Sequence, residues 1–301
     1  MNKLGHKDQE RLARLLWDKR QRAKETAQAK LREAKANRRP LTPELVALFG
    51  WLHFTDEEGR PLWPAAHHWL WLSLLCNRDI KKVFIVAPPE SAKTTWILAY
   101  LGASIAFHPE WPRNMVAATG PTAEKRSLAL RTLIESPTFR QTFPEIQRAA
   151  GLSYETSSWS VAPDGQPHPG RIHPTLAAYG ARGNITGSRA MEAVGDDILD
   201  EENTRTAYMR EAIEIWAHRS FFSRVKARRG RIIMIGTAWH HDDLYSHLYD
   251  NAGWTVCHLP LLSETNEVWA TIRYADGYNG PKLGEPVAIG PGEIVGPDGN
   301  P

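Results

Sequence analysis

Between Lys82 and Phe107 the chain reads KVFIVAPPESAKTTWILAYLGASIAF. Five residues dominated by β-branched and aromatic side chains make a run of strand length, a short loop with two prolines follows, and the apolar stretch that begins at Lys93 is too long for a strand. A strand that feeds directly into a helix needs a crossover to reach a parallel neighbour, so this unit points to an α/β sheet covered on both faces. The same alternation continues downstream. Strands are predicted at residues 82–86, 115–119 and 231–235, helices at 93–106, 122–134 and 205–222, and short apolar runs stand at 176–179 and 193–194. The predicted fold is therefore α/β, with a largely parallel sheet and helices on both faces.

Three segments are expected. Residues 1–40 hold 13 Lys and Arg against 5 Asp and Glu, a balance of 13 − 5 = +8, whereas the whole chain carries +3, so the remainder carries +3 − 8 = −5. This basic stretch lacks internal Gly or Pro after its first few residues, and Arg39-Pro40 ends it, which predicts a helical arm. Its Leu12, Leu15, Leu16 and Ala23 make only a short apolar stripe, so a solvated arm and one that touches phosphates or a partner protein both remain open. Residues 41–262 are the main domain, and residues 263–301 are a Gly- and Pro-rich tail. Cys76 and Cys257 lie far apart with no ligand-like spacing, so neither a disulfide framework nor a zinc site is expected and a reducing, cytosolic setting fits best. No apolar run approaches the ~20 residues of a membrane helix.

The loop Ala87-Pro88-Pro89-Glu90-Ser91-Ala92-Lys93-Thr94 has the spacing of a phosphate-binding loop, in the required place between strand and helix, but without its glycines. Backbone N–H groups from Ser91, Ala92, Lys93, Thr94 and Thr95 remain free to cradle phosphate. Lys93 would bridge the terminal phosphates of ATP, and the Thr94 hydroxyl would bind Mg2+. Alanine in a left-handed position costs on the order of 1 kcal/mol, and Ala92 is expected to avoid it by starting the helix. Glu90 is the awkward residue, a carboxylate beside polyphosphate.

Hydrolysis needs one carboxylate to hold the metal and another to orient water. In MEAVGDDILDEENT, Asp196 and Asp197 end a short apolar run and supply both, whereas Asp200, Glu201 and Glu202 suit a helix cap better. RIIMIGTAWHHDDL ends a further strand in Thr237 and a polar loop, read as a sensor of the phosphate state rather than a metal site.

The ordered set APPESAKTT, YGARGNITGSRAMEAVGDD, RIIMIGTAWHHDDL and GWTVCHLP closely resembles the ATPase domain of the large subunit of tailed-phage terminases, over roughly residues 60–262. The resemblance implies a P-loop NTPase of the additional-strand class, a motor that hydrolyses ATP to move double-stranded DNA into a procapsid. It places Lys93 and Thr94 on the nucleotide, Asp196 on Mg2+, Asp197 in the catalytic carboxylate position and residues 237–243 in the coupling motif. His67 and His68 fall near the family's adenine-contacting segment. The family commonly has Arg, Gly and Arg where this chain has Glu90, Ala92 and Ala238, so Arg189 or Arg182, acting across a subunit interface, is the nearest replacement for an arginine finger. Portal protein, small terminase subunit and a homo-oligomeric ring are the implied partners, the host cytoplasm is the implied setting, and no nuclease domain is expected within residues 263–301. The rival expectation is a catalytically weak relic that binds nucleotide or DNA as a scaffold; a small-molecule kinase has no lid or acceptor site to support it.

Overall fold

The computed structural model describes residues 6–185, 187–260, 268–283, 288–289 and 297. In chain order the elements are α1 (His6–Ala36), α2 (Pro43–His53), α3 (Ala66–Cys76), β1 (Lys82–Val86), α4 (Lys93–Phe107), β2 (Arg113–Ala117), α5 (Gly120–Glu135), α6 (Pro137–Thr142), β3 (Ile146–Arg148), β4 (Ser158–Trp159), β5 (Val161–Pro163), β6 (Leu176–Gly180), β7 (Glu192–Asp196), α7 (Glu201–Thr204), α8 (Ala207–Trp216), β8 (Arg231–Gly236), α9 (Leu244–Asp250), β9 (Thr255–His258), β10 (Val268–Trp269), β11 (Thr271–Arg273) and β12 (Ala288–Ile289). Most helix starts are written locally. Thr42, Thr119, Ser136, Asp200, Thr206 and Asp243 each accept a backbone N–H in the first turn of the helix that follows.

The main sheet has the order β11-β9-β1-β8-β7-β2-β6-β4. Its central six strands are parallel, and the two edge strands β11 and β4 run antiparallel. Strand β8 is inserted between β1, which leads into the candidate phosphate loop, and β7, which ends in the paired aspartates. This is the additional-strand arrangement, and the fold is the α/β class the sequence predicts.

Alternation along the strands fills two cores. Val83, Ile85, Met115, Val194, Ile233 and Ile235 point into one with α2, α3 and α4. Phe84, Val116, Ala193, Ile232 and Met234 point into the other with α8 and α9. Helices α2 and α4 approach so closely that a Cβ on Gly102 would stand 2.7 Å from the Phe49 ring.

Several boundaries differ from expectation. Strand β2 starts and stops two residues early because Thr119 leaves the strand to cap α5. The single helix expected at 205–222 is broken: Thr206 caps a new helix, α8, which runs into a π turn at Ala217–Phe221 and a 3-10 turn at Phe222–Arg224. The second half of α1 is docked rather than solvated, with Ala27, Leu31 and Ala34 buried and Lys35 paired to Glu145, while Leu15, Leu16 and Trp17 stay exposed. Past residue 262, β11 joins the sheet edge, and Asn77 donates to the Tyr278 hydroxyl. Among the tail acids, Glu264, Glu267, Glu285, Glu293 and Asp298 lie outside the described residues. No helix among the described residues is long and apolar enough to cross a membrane.

Candidate active site

Four parallel strands end side by side, and their carboxyl ends wall a cleft of about 830 Å3. The loop after β1 contributes Glu90 through Thr95, β2 is followed by Ala118 and Thr119, β7 by Asp197, and β8 by Thr237 to Trp239; Arg126 enters from α5. Ligands of open α/β sheets bind at this edge.

The loop is held in a conformation that its side chains do not favour. Glu90 has φ +62° and Ala92 φ +56°, so the expectation that Ala92 escapes the left-handed region is corrected. The chain must reverse between the end of β1 and the start of α4, and residue 92 takes the required turn whether or not it is glycine. Asp197 is likewise left-handed at φ +47°, its N–H donating to the Ile235 carbonyl at 2.9 Å and its carbonyl accepting from Ala118 N–H at 3.0 Å. Backbone strain gathered in this way is typical of functional sites. A neighbouring close approach fixes Gly236, where a Cβ would lie 2.3 Å from the Tyr245 ring. Tyr245 in turn accepts the Ile198 N–H at 2.8 Å and so braces the turn after the paired aspartates.

Helix α4 is unlike the capped helices, because Ala92 offers no side-chain cap to its first turn. Residues Ala92 to Thr95, the buried Lys93 among them, line the cleft. The Lys93 Nζ donates to the Pro88 carbonyl at 2.7 Å and to Thr237 Oγ1 at 3.1 Å. Burial lowers its pKa, while Asp197 and then Asp196 act to raise it. Thr94 Oγ1 lies 3.3 Å from Asp196 Oδ1. The structure therefore brings together Ser91, Ala92, Lys93, Thr94, Thr95, Asp196, Asp197 and Thr237.

Four predicted residues stand elsewhere. His68 accepts the Ala65 N–H on Nδ1 at 3.0 Å, which leaves Nε2 as the protonated nitrogen that donates to the Ser91 carbonyl at 3.0 Å. Burial lowers its pKa to about 3, so it is a neutral strut that fixes the loop from behind. His67 meets the His68 ring at a tilt and the Trp71 ring edge-on, and neither histidine lines the cleft. Arg189 is exposed, with Nη1 donating to the Ser223 carbonyl at 3.2 Å, and Arg182 is exposed in a left-handed turn; neither lines the cleft of this single chain.

Arg126 is the residue the sequence reading missed. Its Nε lies 3.2 Å from Asp196 Oδ2, and its Nη1 donates to the Asp196 carbonyl. In sequence it is one cation among the charges of AEKRS; its only mark is a place just inside the helix that leaves the next strand at the same edge. The polar loop after β8 also resolves into local structure. Asp243 accepts from the N–H groups of Trp239, His240 and Ser246, and Asp242 pairs with His247 and Arg210. Asp200 caps α7 together with Asn203.

A hard divalent cation fits the site. Hydroxyl and carboxylate oxygens are its preferred ligands, and Asp196 Oδ2 is buried without any aligned hydrogen bond even though Arg126 is within ion-pair distance. No group of three or more His, Cys, Asp or Glu among the described residues forms a metal cage, so the two aspartates and Thr94 suit a cation that also takes phosphate oxygens. Burial, reinforced by Asp197 and opposed by Arg126, raises the Asp196 pKa from 3.8 to about 6. The folded state then holds a proton that the unfolded state releases, so this group's contribution to the stability of the nucleotide-free protein falls as pH rises from about 4 to about 6. Melting curves across that range should show the wild type losing ground against Asp196→Asn; a constant difference would contradict the raised pKa.

No protein-family model matches the chain. Over 212 residues it is 26% identical to a protein described as terminase, large subunit, of Enterobacteria phage T3, an alignment that covers 70% of this chain and 34% of the phage protein. The chain is related to phage terminase large subunits. It spans about a third of the length of that relative. Among solved structures, the large terminase of bacteriophage HK97 aligns with 70% of this chain and 41% of its own at 15% identity and a TM-score of 0.46. S. cerevisiae Dbp5, in a complex that contains ADP, aligns with 61% of this chain and 44% of its own at 8% identity and a TM-score of 0.37. The strand order of the main sheet by itself defines the fold.

Proposed function

We propose that this chain binds Mg·ATP in the cleft and hydrolyses it to move double-stranded DNA into a viral procapsid. The observation that carries the reading is the meeting of Lys93, Thr94, Asp196, Asp197 and Thr237 at the ends of β1, β7 and β8, in a chain related to terminase large subunits. Lys93 and the first turn of α4 hold the phosphates, Thr94 and Asp196 hold the cation, and Asp197 orients the attacking water. The bound Mg2+ would neutralise charge that develops on the phosphates. Thr237 bonds both Lys93 and the Ala87 carbonyl, so a change at the terminal phosphate reaches β8 and the loop that follows it.

The DNA part of the reading draws on two basic surfaces. One is α1; the other surrounds the 3-10 turn and the loop before β8, where Arg219, Lys226, Arg228 and Arg229 are exposed and no Asp or Glu occurs between Glu214 and Asp242. Both suit sequence-independent contact with phosphates. The motor would act in the host cytoplasm as a ring docked to portal protein and a small terminase subunit.

Loss of one charge-assisted bond from Lys93 to phosphate, worth about 1.5–3 kcal/mol, should weaken Mg·ATP binding by roughly 10- to 150-fold in Lys93→Ala. ATP turnover by the wild type should rise on addition of duplex DNA. Equal nucleotide affinity in the two proteins would remove the phosphate-loop assignment. The exposed, left-handed Glu90 favours a second reading, a nucleotide-binding scaffold with little turnover, and tight binding without DNA-stimulated hydrolysis would select it.

A further inference from the structure

The buried carboxylate at the end of β7 already carries a cation, and that cation is a side chain. Arg126 Nε stands 3.2 Å from Asp196 Oδ2, with the Arg126 side chain 14% exposed and that of Asp196 fully buried. The pairing differs in kind from the other buried carboxylate in the sheet. Glu192 accepts hydrogen bonds from Arg78, Tyr100, Ser104 and Arg113, all between 2.6 and 2.9 Å, so both its oxygens are satisfied. Asp196 Oδ2 accepts none, and charge alone holds Arg126 to it. One contact is saturated and permanent; the other is open to exchange.

We propose that Arg126 is a positioning residue that holds Asp196 ready while the cleft is empty and surrenders it to the metal when Mg·nucleotide loads. This rests on the reading of the cleft as a Mg·nucleotide site. A guanidinium and a divalent cation repel each other and compete for one carboxylate oxygen, so a cation that takes Oδ2 would weaken the hold of Arg126 on it. A guanidinium released in this way in a mostly buried position requires another anion. The phosphates are the anion that arrives at that moment, and Arg126 lines the cleft into which they come. Its second anchor, from Nη1 to the Asp196 carbonyl, keeps the pivot in place during the swing. Arg126 thereby supplies, from within the chain, a cation near the phosphates that the loop with Glu90 and Ala92 does not provide.

The exchange has a consequence for metal-free nucleotide. With Asp196 neutralised, Arg126 has no carboxylate to hold and is free for phosphate before any metal is present. Binding of a fluorescent ATP analogue in excess EDTA should therefore be roughly tenfold tighter in Asp196→Asn than in the wild type, while binding in saturating Mg2+ should be weaker. Adding Arg126→Gln to Asp196→Asn should abolish the gain, and Arg126→Lys, which keeps the charge, should retain part of it. In the single variant Arg126→Gln, metal-free affinity should stay near the wild-type value while affinity in Mg2+ changes, because Arg126 meets phosphate only after the metal displaces it, so the ratio of the two affinities should move. A structural brace would lower the melting temperature and shift both affinities together, leaving the ratio unchanged; that result, or Asp196→Asn without a metal-free gain, overturns the proposal. If Arg126→Gln fails to fold, the comparison of Asp196→Asn with wild type still decides it. A wild type that binds no nucleotide under any condition overturns the reading of the cleft itself, which is a different failure from an unchanged ratio in a protein that binds.

Discussion

Asp197→Asn should hydrolyse ATP roughly 10²- to 10⁴-fold more slowly than the wild type while still binding Mg·ATP, the range expected when a general base is replaced by an amide. The two halves of this expectation come from the different settings of the adjacent carboxylates. Asp196 is fully buried and shares its oxygens between Thr94 and Arg126, the setting of the proposed cation ligand. Asp197 is partly exposed and lines the cleft with a left-handed backbone, the setting the proposed water-orienting role requires. Asparagine also tolerates the left-handed region better than most residues, so the substitution should leave the turn intact. Asp200→Asn is the control. Its carboxylate caps α7, asparagine caps about as well, and turnover should stay near the wild-type value. Single-turnover hydrolysis and nucleotide binding measured on both variants would decide the matter. Near-normal turnover in Asp197→Asn with loss in Asp200→Asn would move the catalytic carboxylate along the loop.

What the sequence disclosed follows from which interactions are local. Strand β1, helix α4 and strand β8 were legible because their apolar runs and turn residues lie within single short segments, and the loop between β1 and α4 carries its own spacing. The cap at Thr206 is equally local but was hidden by helix formers on both sides, so one helix was expected where there are two. Residues whose meaning depends on a distant strand were not legible. Arg126 and Asp196 are 70 positions apart, and only the parallel pairing of β2 with β7 brings the helix after one to the end of the other. The resemblance alone points to His68, as part of an adenine-contacting segment, whereas its place as a strut depends on a bond to Ser91 across 23 positions.

The same reasoning applies with larger energetic consequence at the opposite edge of the sheet. Arg113, Glu192 and Arg231 begin β2, β7 and β8, and the register places them in one row across three adjacent strands. In sequence each is a lone charge at a strand start, indistinguishable from an exposed end. In the fold all three are buried. Glu192 is bonded by Arg113, Arg78, Tyr100 and Ser104, while Arg231 donates to the Leu74 and Leu75 carbonyls that end α3. The network thus ties three strands to α3 and α4 beneath the cleft, and it sets the strand ends from which Asp196 and Thr237 project.

Removing the one acid of this network should cost far more than a surface ion pair. Glu192→Gln leaves Arg113 buried without its counter-charge, and breaking a buried pair from one side typically costs about 3–5 kcal/mol. Replacing Glu192 and Arg113 together by apolar residues should cost less than the sum of the single changes, because no unpaired charge is then left inside. The pH dependence supplies a second signature. Burial alone would raise the Glu192 pKa, but Arg113, then Arg78 and the Tyr100 hydroxyl, hold it down from 4.5 to about 2. A folded-state pKa below the unfolded one means that this stabilisation is complete above about pH 4.5 and is lost as pH falls toward 2. Denaturant unfolding of wild type and Glu192→Gln should show a wide stability gap at pH 7 that narrows through this acid range. A gap below about 1 kcal/mol at pH 7, the scale of an exposed pair, would mean that the row of charges does not brace the strands as argued.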